Sequence, residues 1–316
     1  QDEPSPALRR SPDFHAFRQG CALSHAASTI EYTNRTTGAS TGMMSWWHSF
    51  QSRPFWLRWP GKTLLFSCVL FAVLYPNPRL FWRHLTHVRN ADALPDPHDP
   101  ALEPVVAELE ELLKAQEVSP DDPARLFEAV QNFVYDRVPY AWDWETWGVA
   151  DYLPTVAEVL RQGREDCDGR AVLAAALLRR LGFEAQLAGD PRHIWVETPE
   201  GATMNPLGPP AFTADGEEFN VAWGRLLNPG PLAFGIAVFP WQRELILMAT
   251  FWLLILPRSA PPGVAAVVFG LLSGTLVLLR LAGADPMAPD YRLIALAGLS
   301  FLAAIVLAIR WRPAPT

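Results

Sequence analysis

The sequence predicts an α+β soluble domain set between α-helical membrane segments. Three observations carry that expectation. Half of the 316 residues are hydrophobic and only 19% are charged, against about a quarter in an average soluble domain. The charge is unevenly placed: Asp96 to Arg225 holds 25 acidic and 10 basic residues, which leaves the flanks net positive within a total of −7. The middle also reads as helices followed by short strands, whereas the flanks carry uncharged apolar runs. An acidic middle excludes nucleic acid as its partner, since phosphate binding needs clustered positive charge. Three cysteines cannot build a dense disulfide framework.

The clearest membrane segments lie near the C-terminal end. Gly263–Leu279 and Leu293–Ile309 are each 17 residues without a charge, bracketed by Arg258 and Arg280 and by Arg292 and Arg310. At about 1.5 Å per residue such a helix reaches roughly 25 Å, near the lower limit for a span. Their Gly, Ala and Ser content suits close helix packing in lipid. A shorter run, 245–257, reads as a third span or as an interfacial or re-entrant segment, with 232–241 approaching along the membrane surface. Thr63–Tyr75 is short and follows Arg53, Arg58, Lys62 and a shelf of tryptophans, as a signal anchor does. The basic flanks balance across four spans and do not orient them. The signal-like anchor favours an extracytoplasmic soluble domain in a multi-pass membrane protein.

The expected boundaries follow from these runs. Residues 1–42 lack hydrophobic period and read as a disordered extension upstream of a start at Met43 or Met44. Residues 43–94 form the anchor and its juxtamembrane segment, 95–230 the soluble domain, 231–312 a C-terminal membrane region and 313–316 a tail. His84 and His87 beside Phe81, Trp82 and Arg83 read as membrane-surface residues rather than metal ligands.

Within the soluble domain, Pro95–Pro100 reads as a linker. A helix is expected over 102–116, and another after Asp122 with Pro123 at its first position. Thr155 and Glu158 form a capping-box pattern, closed by Gly163. Asp166 is a good N-cap for a helix of small and apolar residues running to Leu181, which puts Cys167 at its first position. Phe183–Ala188 and His193–Thr198 read as strands joined by a turn at 189–192, and Ala202–Asn205 as a third.

Cys167 alone among the cysteines is placed for chemistry, because a helix start favours the thiolate that acts as nucleophile. Asp166 and Asp168 oppose this by raising a thiol pKa. His193, a strand away, can supply the compensating partner, and Asn205 can orient the imidazole. Trp142, Trp144 and Trp147 just upstream can line a substrate cleft, or simply pack. Zinc is not expected, because no paired CxxC or HxxxH accompanies Cys167.

These residues resemble the transglutaminase-like superfamily, which has a papain-like cysteine protease fold. The resemblance rests on Gly163, Asp166-Cys167-Asp168-Gly169, the run Leu177–Phe183, His193-Ile194-Trp195-Val196-Glu197 and Asn205-Pro206. It implies Cys167 as nucleophile, His193 as base and Asn205 as the orienting residue, although the family usually has Asp where Asn205 stands. It implies an α+β papain-like core and a cysteine-dependent amide or peptide hydrolase or acyl transferase, without cofactor or metal. Expected partners are a protein or peptide substrate, cell-envelope material and membrane lipid. The rival expectation is a catalytically inactive binding or scaffolding module. A neutral or basic substrate suits the acidic domain.

Overall fold

The computed structural model describes residues 55–205, 208–215, 218–222, 224, 228–257 and 259–311. The expectations for residues 1–42, for a start at Met43 or Met44, for Pro206 and for the tail 313–316 lie outside the described residues.

The first helix, α1 (Phe55–Leu74), is longer than the apolar run. It absorbs Arg58, Pro60, Gly61 and Lys62, which read as a boundary in the sequence. Pro60 is the sixth residue of α1 and lies inside the helix, where it removes one i→i−4 hydrogen bond. The short amphipathic α2 (Pro78–Arg89) follows, capped by the Asn77 side chain, which accepts from Arg79 N–H at 3.1 Å. His84 and His87 on α2 clamp one residue between them. Leu153 N–H donates to His84 Nδ1 at 3.2 Å, and the Leu153 carbonyl lies 2.6 Å from His87 Nδ1.

Between the apolar segments, α3 spans Glu103–Ala115 and α4 spans Pro123–Arg137. Then come α5 (Asp143–Thr146), α6 (Val156–Gln162) and α7 (Cys167–Arg180). The Thr155–Glu158 capping box forms, and Gly163 ends α6 with φ 66°, a left-handed conformation that glycine adopts freely. The eight residues from Ala171 to Leu178 are all fully buried. A helix that is apolar on every side belongs in the middle of a core, and α7 packs against α4, α6 and the sheet. The expected linker at 95–100 is tied down rather than free. Arg179 donates to the carbonyls of Asp92 and Pro95 and pairs with the Asp92 carboxylate, and Arg180 reaches the Pro97 carbonyl.

The sheet is antiparallel, in the order β3-β2-β1-β4-β5. Its strands are β1 (Gln186–Asp190), β2 (His193–Thr198), β3 (Gly201–Thr203), β4 (Phe212–Asp215) and β5 (Glu218–Val221). The β1–β2 turn is tighter than expected, with only Pro191 and Arg192 between the strands. Gly189 is required there: a Cβ would lie 2.7 Å from the His193 carbonyl oxygen and 2.8 Å from the Phe212 ring.

After the sheet, α8 (Pro229–Val238) and α9 (Trp241–Ile255) meet at a bend of 115°. Two long helices, α10 (Pro262–Ala282) and α11 (Tyr291–Arg310), pack on one another. The windows Leu57–Leu74, Pro262–Ala282 and Tyr291–Arg310 are long and apolar enough to cross a membrane, and the bent pair counts as a fourth candidate. Thr275 Oγ1 donates to Leu271 and Ala297 carbonyls, and Ser300 Oγ to the Leu271 carbonyl, so the hydroxyls between α10 and α11 are satisfied within the bundle.

Hydrogen bonds fix the middle segment to one end of this bundle. Ala150 N–H donates to the Leu74 carbonyl at 2.8 Å, Arg243 to the Gly148 carbonyl at 2.9 Å, and Arg192 to the Pro286 carbonyl at 2.6 Å. The last of these holds the β1–β2 turn, beside His193, against the α10–α11 loop.

Candidate active site

Asp166 caps α7 as its sequence suggests. Its carboxylate accepts from Asp168 N–H at 3.2 Å, and Cys167 occupies the first helical position. The side chain of Cys167 lies near β2, where the Ile194 main-chain N–H favours the charged form of the sulfur. His193 is the next residue along that strand. Cys167 and His193 therefore line one cavity of about 480 Å³.

The imidazole is held by main chain. His193 Nε2 lies 2.7 Å from the Met204 carbonyl oxygen. A carbonyl only accepts, so Nε2 carries the proton and the neutral ring keeps its lone pair on Nδ1. Met204 is itself fixed. Its N–H donates to Gln131 Oε1 at 2.7 Å, its side chain is buried, and its φ is 68°. A non-glycine residue in that region costs about 1–3 kcal/mol and tends to persist where surrounding bonds enforce it.

Asn205 is not brought to the ring. It also has a left-handed backbone, with φ 56°, and its amide donates to the Tyr135 hydroxyl at 2.9 Å. The physical reason is the turn itself: β3 ends at Thr203, and the left-handed pair 204–205 presents one carbonyl to His193 while sending the next side chain toward α4. The Tyr135 ring lies 4.9 Å from the Arg170 guanidinium, which also sits 5.0 Å from Tyr140. Asn205 thus closes a stack of Tyr135, Arg170 and Tyr140.

The tryptophans divide. Trp142 and Trp144 stack with centroids 4.9 Å apart and line the cavity. Trp147 instead donates from Nε1 to Glu165 Oε1 at 2.7 Å and packs on Tyr152.

Four carboxylates crowd the start of α7. Asp143, Glu165, Asp166 and Asp168 each place an oxygen within 4.8 Å of the others. Asp143, Glu165 and Asp168 are buried, and Asp143 Oδ1 and Glu165 Oε2 have no hydrogen-bond partner. Gly169 makes room for this, because a Cβ there would lie 2.6 Å from the Glu165 side chain. Burial first, then the neighbouring negative charges, pushes the carboxyls up: Asp143 and Asp168 well above the usual range, and Glu165 to about 8. This oxygen-only set has the chemistry that hard divalent cations select. It equally suits carboxyls that keep their protons.

The same acids act on Cys167. Burial raises its thiol well above the usual value, Asp166 adds to the rise, and the Ile194 N–H opposes it. The site is therefore built around a neutral thiol, not a standing thiolate. The helix N–H groups are also partly occupied: Asp168 N–H is taken by Asp166, and Gly169 N–H by Asp168 Oδ1 at 2.6 Å.

Sequence reasoning singled out Cys167 and His193, which line one cavity, and gave no role to Met204 or Glu165 and none at the start of α7 to Asp143. A main-chain carbonyl leaves no trace in residue type. The dense Glu165-Asp166-x-Asp168 run was the available signal for the acidic cluster, and the Tyr140–Glu165 bridge that carries α5 and Asp143 to it was not visible. The chain matches no family model, no curated protein and no solved structure.

Proposed function

We propose that this protein is a membrane-anchored cysteine hydrolase or acyl transferase of the transglutaminase-like, papain-like type, with Cys167 as nucleophile and His193 as its base. One observation carries the reading: a helix-start thiol and an imidazole of assigned tautomer line a single cavity, with the basic Nδ1 left uncommitted by the Met204 carbonyl.

The chemistry follows from the neutral thiol. The Cys167 proton passes to His193 Nδ1 as Sγ bonds to the substrate carbonyl carbon, and the carbonyl π electrons move to oxygen. That oxyanion would draw on the N–H groups at the start of α7. Collapse of the adduct breaks the C–N bond, and the leaving amine takes the proton from His193. Water or an acceptor amine then loses a proton to His193 as it attacks the thioester, and the thiol is regenerated. Met204 stabilises the imidazolium only through a carbonyl dipole, so the ring is a proton carrier rather than half of a standing ion pair.

A second reading is a binding module on the same scaffold. It draws on the raised thiol and on the two first-turn N–H groups already held by carboxylates. The deciding experiment uses the full chain in lipid nanodiscs with Cys21 and Cys68 changed to Ser. A peptidyl acyloxymethyl ketone should label this protein, Cys167→Ala should abolish labelling, and His193→Ala should slow it at least tenfold. Labelling that ignores His193→Ala would leave only the binding module.

A further inference from the structure

We infer that the substrate of this site is an amphiphile, an amide carried on an acyl chain, and that the chain lies in the apolar cavity between the membrane helices. This rests on the cysteine reading above and names the substrate class for it.

The catalytic cavity has a neighbour of about 750 Å³ on the membrane side. Its walls come from α1, α8, α9, α10 and α11 and include Phe66, Leu247, Phe251 and Leu272. Its polar lining is sparse: Glu244 pairs with Arg280 through Oε2 and leaves Oε1 without a partner, Asn228 Oδ1 accepts from Gly230 N–H, and the Thr275 hydroxyl is spent on helix carbonyls. What such a cavity accepts is hydrocarbon, since peptide or water would leave polar groups without partners.

The two cavities share a wall. Pro191 of the β1–β2 turn and Gly235 of α8 line both. Phe234 and Val238 of α8 line the catalytic side, and Leu232, Ile236 and Phe239 the membrane side. At the shared point, a Cβ added to Gly235 meets no atom within 4 Å. Glycine inside a helix is less favourable than alanine, and nothing packs closely enough to require it here. Its open position makes it the gap through which one cavity reaches the other.

The wall is also held in place. Arg280 donates to the carbonyls of Ile236, Ala237 and Phe239 at the end of α8. The indole pair continues the apolar path, with Trp142 6.3 Å from Phe234 and Trp144 5.9 Å from Phe239 between ring centroids. An acyl chain entering among the helices would pass Gly235 and deliver its amide to Cys167 beneath the tryptophans.

The test compares two probes with one acyloxymethyl ketone warhead, carrying an acetyl or a myristoyl group, on the nanodisc protein. Gly235→Leu should slow myristoyl labelling of Cys167 at least tenfold and acetyl labelling less than twofold, with Gly235→Ala close to the parent. Equal loss with both probes, or no loss with either, overturns the channel while leaving the cysteine chemistry standing. A second readout needs no chemistry at Cys167. In the Cys167→Ala protein, a palmitoyl amide with a diazirine at the chain end should crosslink to Leu247, Phe251 or Leu272, and Gly235→Leu should reduce that yield severalfold. Crosslinks confined to the lipid-facing Leu253, Val277 and Leu302 would mean ordinary bilayer lipid only, and would reject the proposal.

Discussion

Two buried charged clusters lie on either side of α8, and they are built in opposite ways. On the membrane side, Arg280 answers Oε2 of one carboxylate, Glu244, and three main-chain carbonyls, and only Glu244 Oε1 is left without a partner. On the Cys167 side, four carboxylates meet with no basic side chain hydrogen-bonded to them among the described residues. A buried charge without a partner is costly, so the first cluster is what a structural role requires. The second is a local cost that the core around α7 must offset, and such costs concentrate at functional sites. The contrast teaches that α8 is a fixed partition, while the start of α7 is where the molecule is electrostatically unsettled.

The largest expected effect comes from breaking the settled side. Arg280→Leu leaves Glu244 buried and alone and frees three carbonyls, and should cost about 3 kcal/mol. Thermal unfolding in detergent would show a drop of several degrees, and adding Glu244→Leu should recover part of it. No recovery in the double variant would mean that Arg280 acts through the carbonyls of α8 and not through the ion pair.

The unsettled side should respond with the opposite sign. Glu165 titrates near 8 when folded and near 4.5 when unfolded. A folded pKa raised above the unfolded one means that the folded state holds the extra proton. Its contribution is present below about pH 4.5 and is lost as pH rises to about 8. Unfolding in urea should therefore show stability falling across that window in the parent. The fall should be shallower in Glu165→Gln, whose side-chain oxygen still accepts from Trp147. An unchanged slope would place the titration on another member of the cluster.

A smaller, kinetic effect sharpens the same point. Iodoacetamide should alkylate Cys167 slowly at pH 8 and faster above pH 9, because burial and then Asp166 raise the thiol. Asp166→Asn keeps a good cap but removes the charge, so alkylation at pH 8 should rise severalfold, each pKa unit being worth about tenfold. Slower alkylation would mean that helix capping, not charge, governs the thiol.

What was legible in the sequence divides along the same line. Local signals wrote the scaffold: Pro123, the Thr155–Glu158 box, Gly163 and the Asp166 cap each mark an element end, because capping depends on residues a few positions apart. The uncharged runs bracketed by arginine marked α10 and α11 for the same reason. The α1 helix was under-read because Pro60 and Lys62 look like breakers until neighbouring helices hold them. The β4–β5 hairpin was passed over although Asp215-Gly216 between short apolar stretches is a turn signal. At the candidate site, residue type singled out only Cys167 and His193, the two that line one cavity. Its acids and its carbonyl come together through the 139–141 and 163–165 segments and the 204–205 turn, and no local pattern records those contacts.

The smallest effect is the one that best separates side chain from main chain at His193. If a carbonyl orients the imidazole, Asn205→Ala removes only a bond to Tyr135, and labelling by the ketone probe should change less than threefold. Gln131→Ala is the informative partner. It releases the Met204 N–H that is now held at 2.7 Å, and with it the left-handed turn that aims the carbonyl. Its loss should slow His193-dependent labelling more than Asn205→Ala does, while leaving labelling in the His193→Ala background unmoved. The reverse order, with Asn205→Ala the more damaging, would mean that the amide swings from Tyr135 to the ring when substrate binds, and that the Met204 carbonyl holds only the resting state.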